Sequence, residues 1–526
     1  MRERDVGAHP LGRMPASVQS ADQIVEETSE ETMLLSDLLS DLDWSLVSGN
    51  AQQPITDITA HSDDVKDGSL FVCLKGGRVD GHSYIPECGL RGAKAFLVED
   101  IHAAAMAAPG STVVQVPSTR AAAGRVASRF FRQPTRDMTV IAVTGTDGKS
   151  SVTNMVGGAL TRLGRPTGTV GTTGVSLDGS PVAHPRSTPT TPEAIDLQRI
   201  FAGLRERGAT SVVLEASSIA LAAERLAGSR VDIGVLTNLT SDHLDAHGSM
   251  EGYRQAKLRL FEMCARAIVN GDDNFSNVIS RETRGPVLTY GIEGRAHAFM
   301  ASDIQVDGTG ATFVISHGGH NVRAASETPG IFAVYNCLAA TAVCVELGYG
   351  LAEAVEATSQ SSSVPGRFQV LRSTDGLRVI VDYAHTAVGL RSLLKTVRAL
   401  SKGRVITVFG CGGDRDKTKR EPMGIVAGSG SDVCVLTSDN PRSEDPEDIM
   451  RQVEGGLKQT ACRYVKLSNR EDAIQWAIDE ALRHDVVVVA GKGDEKYQIV
   501  GDEVVEFSDA AAVDRCLARS RGTCDR

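Results

Sequence analysis

A chain of 526 residues with 41% hydrophobic residues and a formal net charge of −11 can build roughly three domains with sizeable cores. The acidic balance argues against nucleic acid or an anionic membrane as the main partner, and no apolar run reaches the ~20 residues needed to span a bilayer. The ten cysteines are scattered, with no CxxC and no zinc-type His/Cys spacing, as expected of reduced core thiols in a cytoplasmic protein.

In chain order, residues 1–31 are polar, acidic around Glu26-Glu27 and Glu30-Glu31, and lack an apolar segment. They predict a mostly disordered tail that is neither a signal peptide nor an anchor. A first α/β unit, 32–135, holds short strands at Ser69–Leu74 and Ala95–Val98 and a helix at Ala121–Phe131, and ends on Gln133–Arg136, which reads as a linker. A second unit, 136–365, opens on Thr139–Thr153. Buried parallel strands are expected at Ser211–Glu215, Asp232–Thr237 and Arg266–Asn270, with helices at Met250–Cys264 and Tyr335–Leu347 and a hairpin around Ala298–His317. Ser361–Gly366 reads as a second linker. A third unit, 366–515, alternates strands at Val379–Asp382, Val405–Phe409, Val433–Thr437 and Val486–Ala490 with helices that include Val388–Leu400 and Glu471–Leu482. The class is α/β in three parts: an α/β N-terminal domain, a central phosphate-loop parallel sheet, and a doubly wound, Rossmann-like C-terminal domain.

The stretch TVIAVTGTDGKSSVT carries the first chemistry. An apolar strand, Val140–Val143, runs into Gly145-Thr146-Asp147-Gly148-Lys149-Ser150-Ser151 and then a helical pattern. Glycines allow backbone N–H groups to approach phosphate oxygens, the helix N-terminus adds partial positive charge, Lys149 can bridge outer phosphates, and Ser150 suits Mg²⁺. Val143 stands where the standard pattern has its first glycine, so a plain glycine turn with an exposed lysine is the competing reading. Glu215 ends a buried strand, where it would face the loop as an oxygen ligand for Mg²⁺. A solvated strand-end carboxylate is the bland alternative. His243 follows another strand end among Asp242 and Asp245, and could hold a second metal or make an ordinary loop hydrogen bond. Lys257, on its helix, reads from spacing alone as a solvated side chain. Four further strand ends carry Asp382-Tyr-Ala-His385, Gly410-Cys-Gly-Gly-Asp-Arg415, Asp439-Asn440-Pro441-Arg442 and Gly491-Lys-Gly-Asp-Glu495. Guanidiniums that hold carboxylates bidentately and a glutamate that holds an ammonium suit a zwitterionic amino acid.

GTDGKSS, EASS, TNLTSDHLDAHG followed by AK, GRF, DYAHT, FGCGGDRDKTKR, DNPR and GKGDE occur in the order found in Mur ligases, and the chain resembles that family, in its tripeptide-forming branch, over about residues 33–510. The resemblance implies three domains that bind a UDP-sugar nucleotide, ATP and an incoming amino acid. It implies a cytoplasmic, monomeric ATP- and Mg²⁺-dependent ligase of peptidoglycan synthesis, in which the D-glutamyl carboxylate of a UDP-muramoyl dipeptide is phosphorylated and diaminopimelate attacks the acyl phosphate. By matching position, it implies that Gly145 to Ser151 with Asn336, Arg367 and Asp382 meet ATP. Ser150, Glu215, His243 and a carbamylated Lys257 would be metal ligands, and Lys149, Glu215, His243 and Lys257 the catalytic set. Ser62, Gly77, Arg78, Val79, Thr190, Thr191, Ser217 and Arg225 would meet the UDP-muramoyl peptide. Arg415, Asp439, Asn440, Pro441, Arg442, Gly491 and Glu495 would form the diaminopimelate pocket, Arg442 facing the carboxylate that lysine lacks.

Several positions depart from the family pattern: Ile219 for the histidine of SSH, Ala333 for an asparagine, Ala387-Val388 for Pro-Asp after His385-Thr386, Asp494 for histidine, His61 and Asp63 flanking Ser62, Ala223 for glutamine, and Asp147 for asparagine. These changes leave open a divergent ligase that forms another amide, or a nucleotide-binding pseudo-enzyme. A folylpolyglutamate synthase-like chain shares the ATP core but not the DNPR segment or the N-terminal unit.

Overall fold

The structure, a computed structural model, describes residues 32–76, 79–184, 190–294, 297–308, 310–360, 364–372, 377–501 and 503–524, with no side-chain description at 104, 245, 372 and 521–524. The expected tail, the Gly77-Arg78 turn and 361–363 of the second expected linker lie outside the described residues.

The apolar runs become the centre of an eleven-stranded sheet. Thr139–Thr144 lies between Ser211–Glu215 and Val231–Leu236, parallel to both, and Cys264–Asn270 and Val287–Gly291 continue the parallel order outward. The central positions of such strands are apolar on both sides because both faces are covered. Ile141 and Val143 pack under the helices Lys149–Arg162 and Ile331–Glu346. Val140 and Ala142 pack under Ala194–Glu206 and Met250–Met263. The expected hairpin is present as Phe299–Asp307 with Gly310–His317, extended by an antiparallel third strand, His320–Ser326.

The N-terminal sheet has five strands in the order Ser45–Ser48, Thr112–Gln115, Ala95–Val98, Ser69–Val72, Asp57–Thr59, parallel except for the first. Its helix Thr119–Phe130 shares a core with Ala194, Ile195 and Ala202 of the central unit. The expected linker at Gln133–Arg136 is a packed connection. Pro134–Arg136 is a 3₁₀ turn with Pro134 and Thr135 buried, and the Thr135 hydroxyl accepts the Arg230 N–H at 3.0 Å. Gly124 lies so close to the segment Ala227-Gly228 that a Cβ there would meet the Ala227 carbonyl.

The C-terminal sheet has six strands. Arg378–Asp382, Val486–Ala490, Val405–Phe409, Val433–Leu436 and Arg463–Lys466 are parallel neighbours in that order, and Gln369–Arg372 closes one edge antiparallel. Because these strands are parallel, four polar strand ends line up along one edge, where ligands of open α/β sheets bind, and the last strand, Val486–Ala490, lies between the first two. One face is covered by Ala387–Leu400, Arg420–Gly430 and Pro446–Leu457, the other by Arg470–Glu480 and Asp509–Cys524. The nine cysteines with described side chains are free thiols. No helix among the described residues is long and apolar enough to cross a membrane.

Candidate functional site

The phosphate loop leaves its strand at Thr144. Gly145 and Gly148 take φ of +150° and +82°, and a Cβ on Gly145 would collide with the Thr237 hydroxyl. This close approach explains a glycine there. The flanking strand end clasps the loop: the Asp147 carbonyl accepts from Thr237 Oγ1 at 2.6 Å and from Asn238 Nδ2 at 3.1 Å, and the Asp147 N–H donates to Asn238 Oδ1 at 2.9 Å. Lys149 opens the helix and folds back, its Nζ donating to the carbonyls of Gly145 and Thr146 at 3.1 and 2.8 Å. Ser151 follows in the first turn, and Asn336 approaches from its own helix to within contact of Gly148.

The buried Ser150 hydroxyl donates to Glu215 Oε2 at 2.9 Å, and Glu215 Oε1 accepts the Thr172 N–H at 2.8 Å. The expected position of Glu215 opposite the loop follows from register: it pairs with Val143, one strand across. A hydroxyl and a carboxylate at the foot of the loop are hard-oxygen groups whose chemistry fits Mg²⁺, and Ser150 and Glu215 would hold it. Among the described residues no group of three His, Cys, Asp or Glu forms a ready-made metal cage.

Lys257 departs from the spacing-based expectation of a solvated lysine. It is 1% exposed. Its Nζ donates to the Gly145 carbonyl at 2.7 Å and lies 4.5 Å from the centre of the Tyr253 ring. Burial, reinforced by the Lys149 ammonium, pushes its pKa well below the ordinary lysine value, which favours a neutral, nucleophilic amine. His243, in the left-handed region at φ +52°, pairs with Asp242 at 3.4 Å and meets the edge of the same Tyr253 ring.

Four of the residues matched to the muramoyl peptide form one network around Glu215. Thr191 Oγ1 donates to the Glu215 carbonyl at 2.7 Å and accepts the Ser217 N–H at 3.1 Å. Ser217 caps the helix Ser218–Ala222, Arg225 donates to the Thr191 carbonyl at 2.9 Å, and the Thr190 hydroxyl meets that of Thr172 at 3.3 Å. Ser62 and Val79 sit apart, in the N-terminal unit. There the Ser62 carbonyl accepts from Arg91, which also pairs with Asp63 and Glu87.

Arg367 joins the C-terminal unit to the loop. Its guanidinium stacks 4.0 Å from the Tyr383 ring, donates to Ser150 Oγ at 3.2 Å and pairs with Asp494 at 3.5 Å. Asp382 acts on backbone, its two oxygens accepting the N–H groups of Phe368 and Ala384 at 2.8 Å each. His385 donates from Nδ1 to the Tyr383 carbonyl at 3.0 Å, and burial, with the nearby Lys419, pushes its pKa down to about 4.

The Asp439–Arg442 and Gly491–Glu495 segments meet along the same edge. Glu495 accepts Asn440 Nδ2 at 2.9 Å and Lys492 Nζ at 2.8 Å, and Lys492 also donates to Asn440 Oδ1 at 3.1 Å. Arg442, at φ +52°, donates to the Gly413 carbonyl at 2.7 Å and stands near Arg415, which with burial lowers its pKa. A hairpin, Tyr497–Val500 with Glu503–Glu506, backs this segment, the Ile499 N–H donating to Asn440 Oδ1 at 3.0 Å. Motif reading did not single out Tyr253 or Lys492. Tyr253 lies one turn before Lys257, and Lys492 lies inside the quoted GKGDE, so adjacency was the available signal. Among the departures, Ile219 and Val388 are exposed, at 42% and 40%, whereas Ala333 is buried.

Three family models match the chain in succession: "Mur ligase family, catalytic domain" over 54–131, "Mur ligase middle domain" over 143–344 and "Mur ligase, glutamate ligase domain" over 366–493. The UDP-N-acetylmuramoyl-L-alanyl-D-glutamate–2,6-diaminopimelate ligase of Caldanaerobacter subterraneus subsp. tengcongensis is 41% identical, covering 93% of this chain and 100% of its own length. A protein of Clostridium acetobutylicum with that name and the suffix 2 is 37% identical, covering 92% and 100%. A solved structure of an enzyme of the same name is 29% identical, with a TM-score of 0.66, and covers 93% of this chain and all of that one.

Proposed function

This chain belongs to the Mur ligase family, and on that premise we infer that it is the ATP-dependent ligase that joins diaminopimelate to the D-glutamyl carboxylate of UDP-N-acetylmuramoyl-L-alanyl-D-glutamate in peptidoglycan synthesis. One observation carries this reading. At the phosphate loop, Ser150 is bonded at once to Glu215 of the central sheet and to Arg367 of the C-terminal unit, so a nucleotide there is within reach of the unit that holds the amino-acid pocket.

A carboxylate is a poor electrophile. Transfer of the terminal phosphoryl group of ATP to the D-glutamyl carboxylate gives an acyl phosphate and ADP, and the amine then displaces phosphate to form the amide. Lys149 swings from its loop carbonyls to the transferred group and offsets charge that develops there. Mg²⁺ held by Ser150 and Glu215 would supply the same kind of electrostatic stabilisation. Lys257 is poised to add CO₂: its neutral Nζ forms the N–C bond, releases a proton and becomes an anionic carbamate, which with His243 offers ligands for a second cation. Thr190, Thr191, Ser217 and Arg225 hold the muramoyl peptide beside Glu215, with Ser62, Gly77, Arg78 and Val79 at its nucleotide end. Asn336, Arg367 and Asp382 contribute to the ATP site. In the amino-acid pocket, Arg415 and Arg442 take carboxylates and Glu495 takes an ammonium.

The reading is tested by phosphate release from ATP in the presence of the UDP-muramoyl dipeptide. Release should require diaminopimelate and fail with lysine. Indifference to every amino acid would refute it, and an intact-mass increase of one carbamate, lost in Lys257→Ala, tests the modification separately.

A further inference from the structure

The largest fully buried side chain outside the motifs already described is Arg470, at the start of the helix Arg470–Glu480. Its side chain and that of Asp509, the first residue of the C-terminal helix, are both 0% exposed. The pair is bidentate, Nε to Oδ1 at 2.7 Å and Nη2 to Oδ2 at 2.8 Å. The remaining donors reach backbone: Nη2 donates to the Ala490 carbonyl at 3.0 Å and Nη1, at a long 3.4 Å, to the Ser438 carbonyl. Those two carbonyls immediately precede Gly491 and Asp439. One guanidinium therefore bonds the last residue before each of the two segments that form the amino-acid pocket.

A buried ion pair is an uncertain source of stability, because desolvation offsets most of the attraction. This one has a geometric output instead. Burial alone would raise the Asp439 carboxyl, but the Lys492 ammonium and the Arg470 guanidinium together hold it below the usual carboxylate range. A Cβ on Gly491 would come within 2.8 Å of Asp439 Oδ2 and 3.9 Å of Arg470 Nη2. Charges thus alternate inward from the C-terminal helix: Asp509, Arg470, Asp439, Lys492, Glu495. The helix is clamped to Arg470–Glu480 by Ala512, Val513 and Cys516 against Ala473, Ile474 and Ala477.

We propose that Arg470 and Asp509 are positioning residues for amino-acid recognition, and that the C-terminal helix sets the spacing of the Asp439–Arg442 and Gly491–Glu495 segments through them. The consequence for diaminopimelate rests on the pocket assignment made above; the positioning itself does not.

The test uses the full chain with Asp509→Asn and, because an unpaired buried guanidinium can prevent folding, the apolar double variant Arg470→Met/Asp509→Leu, which removes both charges and both carbonyl contacts together. Steady-state phosphate release and backbone hydrogen exchange are measured on each. The expected result is a KM for diaminopimelate raised about 10-fold or more, with KM for ATP and for the UDP-muramoyl dipeptide within about 2-fold of wild type, and faster exchange confined to 438–442 and 490–495. Unchanged exchange in those segments, or equal rises in all three KM values, overturns the proposal. Faster exchange there in an enzyme whose wild type ignores diaminopimelate supports the positioning role and rejects the pocket's substrate instead.

Discussion

The phosphate loop and the proposed amino-acid pocket are built in opposite ways. The loop is one contiguous segment that presents backbone, and two lysines, Lys149 within it and Lys257 from a distant helix, are anchored to its Gly145 carbonyl. The pocket is assembled from separate strand ends, largely through side chains that hold one another: Glu495 is held by Lys492 and Asn440, while Arg442 reaches across to the Gly413 carbonyl. A site made of backbone fails as a whole when one group is lost. A site made of interlocked side chains can be retuned one contact at a time.

That contrast can be broken by experiment. The largest effect is expected from Lys149→Ala, which should lower phosphate release about 10³-fold or more whatever amino acid is supplied; a loss confined to one amino acid would erase the distinction. Arg442→Ala should lower kcat/KM for diaminopimelate about 10²-fold while KM for ATP stays put. Loss of nucleotide binding in that variant would move Arg442 out of the pocket. Gly491→Ala is milder. Gly491 has φ +120° and its new methyl would press on the Asp439 carboxylate, so KM for diaminopimelate should rise about 10-fold, detectable by initial-rate titration. The smallest effect is on stability. The Arg420 guanidinium, helped by the Asp414 N–H and Lys417, holds Glu444 down to about 2 from 4.5. A depressed carboxyl stabilises the fold above its unfolded pKa, and that contribution is lost as pH falls from 4.5 toward 2. Glu444→Gln should therefore flatten the acid limb of the thermal midpoint between those values and leave it little changed in slope near neutrality.

The same contrast explains what could be read without coordinates. Apolar runs such as Val140–Val143 and Val486–Val489 specify buried parallel strands by composition, and Ser211–Glu215, Val405–Phe409 and Val486–Ala490 occur at the expected bounds. Glu215 was legible because strand register alone places it opposite the loop. Lys257 was not, since its helix pattern says nothing about the Gly145 carbonyl more than a hundred residues earlier. Only the motif resemblance lifted it above a surface lysine. Arg470 and Asp509 carry no local signal, because the pair exists only once two helices pack on one sheet face. The packing of the connection at Gln133–Arg136 was hidden for a related reason. Its proline and polar residues resemble an exposed joint, but the Thr135 hydroxyl finds its partner nearly a hundred positions away, at Arg230.

That buried turn, with Gly124 pressed against Ala227, also bears on modular exchange. A chimera that replaces the N-terminal unit through residue 136 would retain an Ala227–Arg230 surface shaped for a glycine and a threonine it no longer meets. Grafts should succeed only when both sides of that seam travel together, so the first two units behave as a single cassette in recombination even though the chain that joins them is short.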